Sequence, residues 1–336
     1  MINAVRQRYK ELFGFSKEAD ARNVHGFKRA KFRLDWLIWL MRRGCSANDY
    51  FIYKFWEKTS RERKQIITLL QGALIIRRLN GGGERKIVED KRLFAERYGD
   101  MTKRLIMSSG ELSSYEEFIA VLQKYGSLIV KPAFGFNGND VHKVYASDSE
   151  ADLRLEYEGI KSTECVIEEV LVQDGILRSL NPETLNTVRI NVFNDHGELS
   201  VINAIVRSGQ GDVVTDNICA GGVVAWVDVE TGVVDSPFWD LNNQCIDRHP
   251  KSGVRLRGTA LPSWGDAKLT ALKAAERLGE GIAYSSWDIA ILPQGEIAVV
   301  EGNTYGNFNI QQVVSGKGVW PVYKRLISRW QRNRGR

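Results

Sequence analysis

The chain has 336 residues, of which 43% are apolar and 26% charged, with a formal charge of +6. This is ordinary globular composition, with length enough for two or three subdomains and a large core. No apolar run approaches the roughly 20 residues that span a bilayer, the start lacks a signal-peptide core, and Cys45, Cys165, Cys219 and Cys245 lack zinc-site or disulfide-framework spacing. A soluble cytoplasmic protein with free, structural thiols is therefore expected.

The charge is segregated along the chain. Residues 1–80 carry 18 basic and 7 acidic side chains, residues 317–336 carry 7 basic and no acidic ones, and residues 81–316 carry 22 basic and 34 acidic. Basic ends around an acidic middle suit docking on an anionic surface, such as the inner face of a membrane or a polyanionic glycan. Solvated helix faces account for the same counts. No nucleic-acid motif accompanies the charge, so nucleic acid is not an expected partner.

In chain order, residues 28–43 read as a helix with Phe32, Trp36, Trp39 and Leu40 on one face, and residues 61–79 repeat that character. Both helices either pack on each other and on the rest of the protein or lie on a membrane surface. The run Gly81-Gly82-Gly83 closes a basic helical module, residues 1–80. Asp90 is then placed to cap a helix ended by Gly99, and a second helix follows Ser113 near 114–124. Strands are expected at 127–131, 141–145, 164–170, 187–193, 198–206, 222–229 and within 286–301, with a helix at about 266–278. The alternation predicts an α+β or mixed α/β enzyme containing antiparallel pairs.

Two apolar strands flank Pro293-Gln294-Gly295 and predict a hairpin. A four-residue loop pairs Leu292 with Ile297 and sets Asp288 opposite Glu301, with Asn303 on the same side as Glu301. Burying two carboxylates together is costly unless a cation or bases neutralise them, and hard oxygen donors suit Mg²⁺ or Mn²⁺. Taken alone, the hairpin is equally a solvent-facing acidic strand end. Upstream, Lys131 ends an apolar strand and precedes a loop with Gly135 and Gly138, where backbone N–H groups and an ammonium can meet phosphate. A glycine-rich hairpin turn beside a surface lysine has the same composition. The segment Cys165 to Gln173 is an apolar strand broken by Glu168 and Glu169, able to offer backbone hydrogen bonds to an adenine edge, with Gln173 near the ribose.

In order, spacing and company, these segments resemble the ATP-grasp superfamily over roughly residues 84–312. The resemblance implies two α+β lobes sandwiching ATP: a small lobe at 81–170 with the glycine loop, and a large lobe at 171–336 with the metal site and a basic C-terminal helix. It implies Asp288, Glu301 and Asn303 as metal ligands, Lys91 and Lys131 on the phosphates, Gly135 and Gly138 in the covering loop, and Glu168, Glu169 and Val170 as the adenine hinge. Asn186-Thr187-Val188-Arg189-Ile190, Ala204-Ile205-Val206-Arg207-Ser208 and Asp216-Asn217 with Gly221-Gly222 resemble ligases that join amino acids to carboxylates. Arg189 and Arg207, with Asn217 nearby, are the residues expected to act on the transferring phosphoryl group. D-alanine ligases place an arginine two residues before the first metal ligand; here that residue is Ser286, which disfavours D-Ala-D-Ala synthesis. Asn48-Asp49-Tyr50-Phe51 and Phe55-Trp56-Glu57 in the basic module look instead like ATP-grasp proteins associated with sugar transfer and surface-polysaccharide synthesis.

The expectation is a carboxylate–amine ligase using ATP and Mg²⁺, or Mn²⁺, and an acyl-phosphate intermediate, with a sugar acid or surface-glycan precursor as acceptor. A kinase acting on a sugar or lipid-linked hydroxyl and a non-catalytic ATP-binding scaffold are the competing classes.

Overall fold

The computed structural model describes residues 13–134, 140–173, 175–211, 216–218, 221–306 and 308–333. The chain divides into two compact units, one of Met1–Gly81 with Gly306–Arg336 and one of Gly82–Tyr305. The triple glycine falls at this seam. The C-terminal segment, expected in the large lobe, groups instead with the N-terminal module.

The first unit is helical. It contains α1 (Phe15–Ala21), α2 (Gly26–Arg43), α3 (Ala47–Ile52) and α4 (Leu69–Leu79). The second unit follows with α5 (Lys91–Thr102), β1 (Ile106–Ser108), α6 (Tyr115–Tyr125), β2 (Ser127–Pro132), β3 (His142–Tyr145), α7 (Glu150–Ser162) and β4 (Cys165–Glu169). It continues with β5 (Thr187–Asp195), β6 (Glu198–Ser208), β7 (Val223–Val227), β8 (Phe238–Trp239), β9 (Cys245–Ile246), α8 (Trp264–Glu276), β10 (Tyr284–Ile291) and β11 (Ile297–Asn303). α9 (Phe308–Ser315) and α10 (Trp320–Asn333) return to the first unit.

In the first unit the buried face of α2, made by Phe32, Trp36 and Trp39, meets Phe15, Tyr50, Phe51 and Phe55 in an aromatic core. Phe15 stacks on Trp36 at 5.0 Å and Phe32 on Trp56 at 4.6 Å. α2 ends at Gly44, whose φ of 62° is left-handed and whose absent Cβ would lie 2.6 Å from the Leu70 Cβ. The helix expected across 61–79 breaks into Ser60–Arg63 and α4, because Thr68 and Gln71 form a capping box that restarts it. The C-terminal segment belongs here for specific reasons. Gln312 Oε1 accepts from Ile67 N at 2.7 Å, Tyr53 Oη donates to Asn309 at 2.8 Å, and Trp320 N donates to the Gln65 carbonyl at 2.9 Å.

Among the described residues the second unit forms two antiparallel sheets, ordered β1-β4-β2-β3 and β11-β10-β5-β6-β7-β8-β9. In the four-stranded sheet, Leu128, Val130, Cys165 and Ile167 pack against Phe118 and Leu122 of α6 and Leu153 and Ile160 of α7. Strand alternation turns Lys131 and Glu168 to the opposite face. In the larger sheet, Val188, Ile190, Val206, Trp287, Ile289 and Val299 join Ala267, Ala271 and Ala274 of α8 and Phe94, Tyr98 and Met101 of α5 in the main core. Arg189, Arg207 and Asp288 alternate to the other side.

Asp90 caps α5 as expected, accepting from Arg92 N at 2.9 Å, but the helix runs through Gly99 to Thr102. Burying Tyr98 and Met101 on either side of that glycine outweighs its helix penalty of about 1 kcal/mol. The second helix takes Ser114, not Ser113, as its cap. Three short strands, β1, β8 and β9, were absent from the expected set.

Candidate active site

The predicted hairpin is β10–β11, with Asp288 opposite Glu301. Its register was expected to start from Leu292 and Ile297, whereas Ile291 faces Ile297 and the shift is recovered by a bulge between Asp288 and Ile289. Val299 and Ile289 pair across the strands with both side chains in the apolar core. Strict alternation from Val299 would send Glu301 into that core as well. The extra residue, Val300, turns Glu301 and Asn303 to the face of Asp288 instead. Gly302 then falls on the core side opposite Trp287, whose ring lies 2.7 Å from where a Cβ would stand.

Asp288 is held by two arginines from neighbouring strands. Arg189 of β5 donates from Nε to Oδ1 at 2.7 Å and from Nη2 to Oδ2 at 2.6 Å, and Arg207 of β6 donates from Nη1 to Oδ2 at 2.5 Å. Burial alone would raise the Asp288 pKa, but Arg189 and Arg207 hold it far below the usual aspartate range. Arg207 also pairs with Asp216 at 2.9 Å, and its guanidinium stays protonated despite burial. Asp216 in turn accepts from Thr187 N at 3.0 Å and from the Thr187 hydroxyl. Glu301 is nearly half exposed at 48%, with Arg189 at 3.8 Å and Asn303 Nδ2 donating to Oε1 at 2.9 Å.

The second cluster centres on Glu168, whose Oε2 accepts from Lys131 Nζ at 2.8 Å and Arg104 Nε at 2.9 Å. Burial opposes ionisation, yet Arg104 and Lys131 hold the pKa down to about 2. Arg104, with its side chain 2% exposed, also donates to the Val299 carbonyl at 3.1 Å and the Val300 carbonyl at 2.9 Å. It thus satisfies backbone acceptors at the bulge that aims Glu301. Lys91 links the clusters. Burial lowers its pKa, and Lys131 lowers it further, while Glu301 and Glu168 act in the opposite direction. Its backbone N donates to the Ala133 carbonyl at 3.1 Å, tying the start of α5 to the end of β2.

Two expected positions read differently in place. Glu168 and Glu169 lie within β4; Glu168 is paired to both neighbouring strands, and Glu169 is paired to β2 while its N donates to the Leu105 carbonyl at 3.0 Å. A hinge with backbone available to an adenine edge therefore starts at Val170, beyond the last pair. Gln173 is buried with its amide turned to Asn186, donating to the Asn186 carbonyl and accepting from Asn186 N at 2.6 Å. In this arrangement the Gln173 amide ties the loop after β4 to Asn186. Asn217 follows Asp216, and its carbonyl accepts from Gly222 N at 3.1 Å; a Cβ on Gly222 would meet the Asp216 and Asn217 carbonyls at 2.9 Å. Gly135 and Gly138 lie outside the described residues. At the position of the D-alanine ligase arginine, Ser286 Oγ donates to Asn191 Oδ1 at 2.6 Å within a neutral group that includes Tyr284 and Asn203.

Among the described residues no group of three His, Cys, Asp or Glu side chains is assembled for a metal. The expected donors are two carboxylates and an amide. Three of the roughly four lone-pair positions of Asp288 are taken by arginine, leaving one on Oδ1. With Glu301 and Asn303 this set fits a hard cation that brings further oxygen donors with it, as Mg²⁺ does with phosphate and water. It does not fit a self-sufficient metal cage. Around it, Arg104, Arg189, Arg207, Lys91 and Lys131 face Asp216, Asp288, Glu168 and Glu301, so the cluster has a surplus of positive charge suited to a polyanion.

The family model described as sugar-transfer associated ATP-grasp matches residues 71–327. No curated protein matches the chain. Among solved structures, the ATP-grasp ligase PsnB, in complex with a minimal precursor, Mg and ADP, is 15% identical with a TM-score of 0.45, over 81% of this chain and 69% of PsnB. D-cycloserine synthetase DcsG is 16% identical at a TM-score of 0.41, over 72% and 71% of the two chains. The D-alanine–D-alanine ligase of Bacillus anthracis is 16% identical at 0.42, over 73% and 68%. At such identity and score these likenesses bear on neither substrate nor site residues.

Proposed function

We propose, from the premise that this chain belongs to the sugar-transfer associated ATP-grasp family, that it is an ATP-dependent carboxylate–amine ligase. The observation that carries the reading is the convergence of Arg189 and Arg207 on Asp288 beside half-exposed Glu301.

In this reading Lys91 and Lys131 bind phosphate oxygens of ATP, and Lys131 turns to them from Glu168. Backbone from Val170 onward meets the adenine edge. Asp288, Glu301 and Asn303 would hold Mg²⁺, which when bound would supply Lewis-acid charge neutralisation. Arg189 and Arg207 keep Asp288 ionised and present fixed N–H donors where negative charge develops. The γ-phosphoryl group passes to a substrate carboxylate, and an amine displaces phosphate from the acyl-phosphate, leaving an amide. Positioning and electrostatics suffice for these steps, with no protein nucleophile.

The acceptor proposed is a sugar acid or surface-glycan precursor, following the family's association with sugar transfer. At the position of the D-alanine ligase arginine stands Ser286, a buried hydroxyl bonded to the Asn191 amide, which supports an acceptor other than D-alanine. A screen of amino acids against sugar acids, reading phosphate release and product mass, tests this. Phosphate released only when carboxylate and amine are both present, with a condensed product, supports ligation. A product that gains a phosphoryl group without an amine would replace it with a kinase.

A further inference from the structure

α2 carries two apolar faces. The inner one, Phe32, Trp36 and Trp39, is buried in the aromatic core. On the opposite side of the helix, Phe27, Leu34, Ile38 and Met41 follow the seven-, four- and three-residue spacing of one stripe. They are exposed at 86%, 66%, 42% and 80%. Leu37 lies on the edge of that stripe and is also exposed. It continues past the C-cap, where Leu70 packs against Gly44 and, with Leu74, remains exposed on α4.

The stripe is bordered by cations on both sides. At 100° per residue, Lys28, Lys31 and Arg42 fall along one margin and Arg33 along the other, all exposed. Arg77 and Arg78 are exposed beside Leu74 on α4. The sole acid of α2, Asp35, falls on the same margin as Lys28 and Arg42 with its side chain 29% exposed, but it is paired, accepting from Arg63 at 2.8 Å and Tyr50 at 3.0 Å. The surface therefore combines a lengthwise apolar stripe with flanking lysine and arginine, and the one carboxylate of α2 is already paired with Arg63. A polar protein partner would call for hydrogen-bonding groups within the stripe; a lipid surface calls for apolar insertion with cations level with the headgroups.

We propose that the outer face of α2, extended by Leu70 and Leu74, docks this protein on an anionic membrane surface. The helix lies parallel to the surface, with Phe27, Leu34, Ile38 and Met41 at the acyl boundary and the basic margins on the phosphates. None of these residues belongs to the ATP site, so the proposal stands or falls separately from the ligase reading.

The test is co-sedimentation of the full chain with vesicles of phosphatidylcholine alone and with phosphatidylglycerol added. The expected result is binding to the anionic vesicles at least about ten-fold above the neutral ones. The double variant Leu34→Ser/Met41→Ser should lose about ten-fold of that binding with an unchanged circular dichroism melt, although every basic residue is retained. Wild-type protein that stays in the supernatant with both vesicles overturns the proposal. So does binding unaffected by the double variant, which would assign it to charge elsewhere. A dimer in light scattering that the same substitutions dissociate would make a second copy the occupant and overturn the membrane as well.

Discussion

Glu168 shows how one carboxylate can tie two pieces of a site together. It is buried, and Arg104 and Lys131 depress its pKa from 4.5 to about 2. A group depressed on folding stabilises above its unfolded pKa and loses that contribution as pH falls through the folded value. The window is therefore about pH 4.5 down to 2, and the displacement corresponds to about 3 kcal/mol. Glu168→Gln should cost about 3–5 kcal/mol near neutral pH, because two cations lose their buried partner. The same variant should flatten the acid limb of a urea-midpoint profile between about pH 4.5 and 2, so an unchanged limb would deny Glu168 this role. Arg104 is the other residue whose part was not legible in advance. In sequence it is one more basic residue next to Lys103, and its partners lie 64 and 195 positions away. Arg104→Lys keeps a cation near Glu168 but cannot also reach two bulge carbonyls. We expect turnover to fall more than about ten-fold with a smaller change in ATP affinity. Equal losses in both would mean a general disruption.

At the scale of the element, the hairpin was legible in outline. Two apolar strands around Pro293-Gln294-Gly295 and a carboxylate on each strand were enough to pair Asp288 with Glu301. The path to that pair was not legible. A four-residue loop without a bulge and a longer turn with one bulge end in the same register, and only the packing of Val299 and Trp287 separates them. The strand Cys165–Glu169 likewise looked like a hinge because apolar pattern reveals a strand but not its neighbours. Here the neighbours occupy both edges. For α2 the inner aromatic face accounts for the helix by itself, so the pattern left packing and a membrane surface as alternatives, and only the exposure of Phe27, Leu34, Ile38 and Met41 separates a second apolar stripe from the first. Gly302 gives the element's test. Gly302→Val drives two methyls into the Trp287 ring and Val88, so it should cost about 1–3 kcal/mol and displace Glu301 and Asn303 on either side. Activity should fall much further than stability. Retention of full activity would show that the register tolerates movement there.

For the whole molecule, charge and architecture divide at the same place. The unit of Met1–Gly81 with Gly306–Arg336 holds 25 basic and 7 acidic residues, a charge of +18, and the unit of Gly82–Tyr305 holds 22 and 34, a charge of −12. The sequence segregation is thus a property of folded units, with the ATP-grasp sheets on the acidic one and the apolar stripe on the basic one. Among the described residues no helix is long and apolar enough to cross a membrane. Cation dependence also belongs to this scale. Because Arg189 and Arg207 already offset Asp288, chelating Mg²⁺ without nucleotide should leave the melting temperature unchanged. Adding ATP with Mg²⁺ at about a hundred times its dissociation constant should raise stability by about 2.7 kcal/mol. A large drop on chelation alone would indicate a resident structural metal.

The most direct test of the central claim is calorimetric titration of ATP, with and without Mg²⁺, into the wild type, Lys131→Met and Glu301→Gln. Mg²⁺-dependent binding is expected, weakening at least about ten-fold in each variant, roughly 1.4 kcal/mol, while their melting curves remain cooperative. ATP affinity that is indifferent to Mg²⁺ and equal in all three proteins would contradict it.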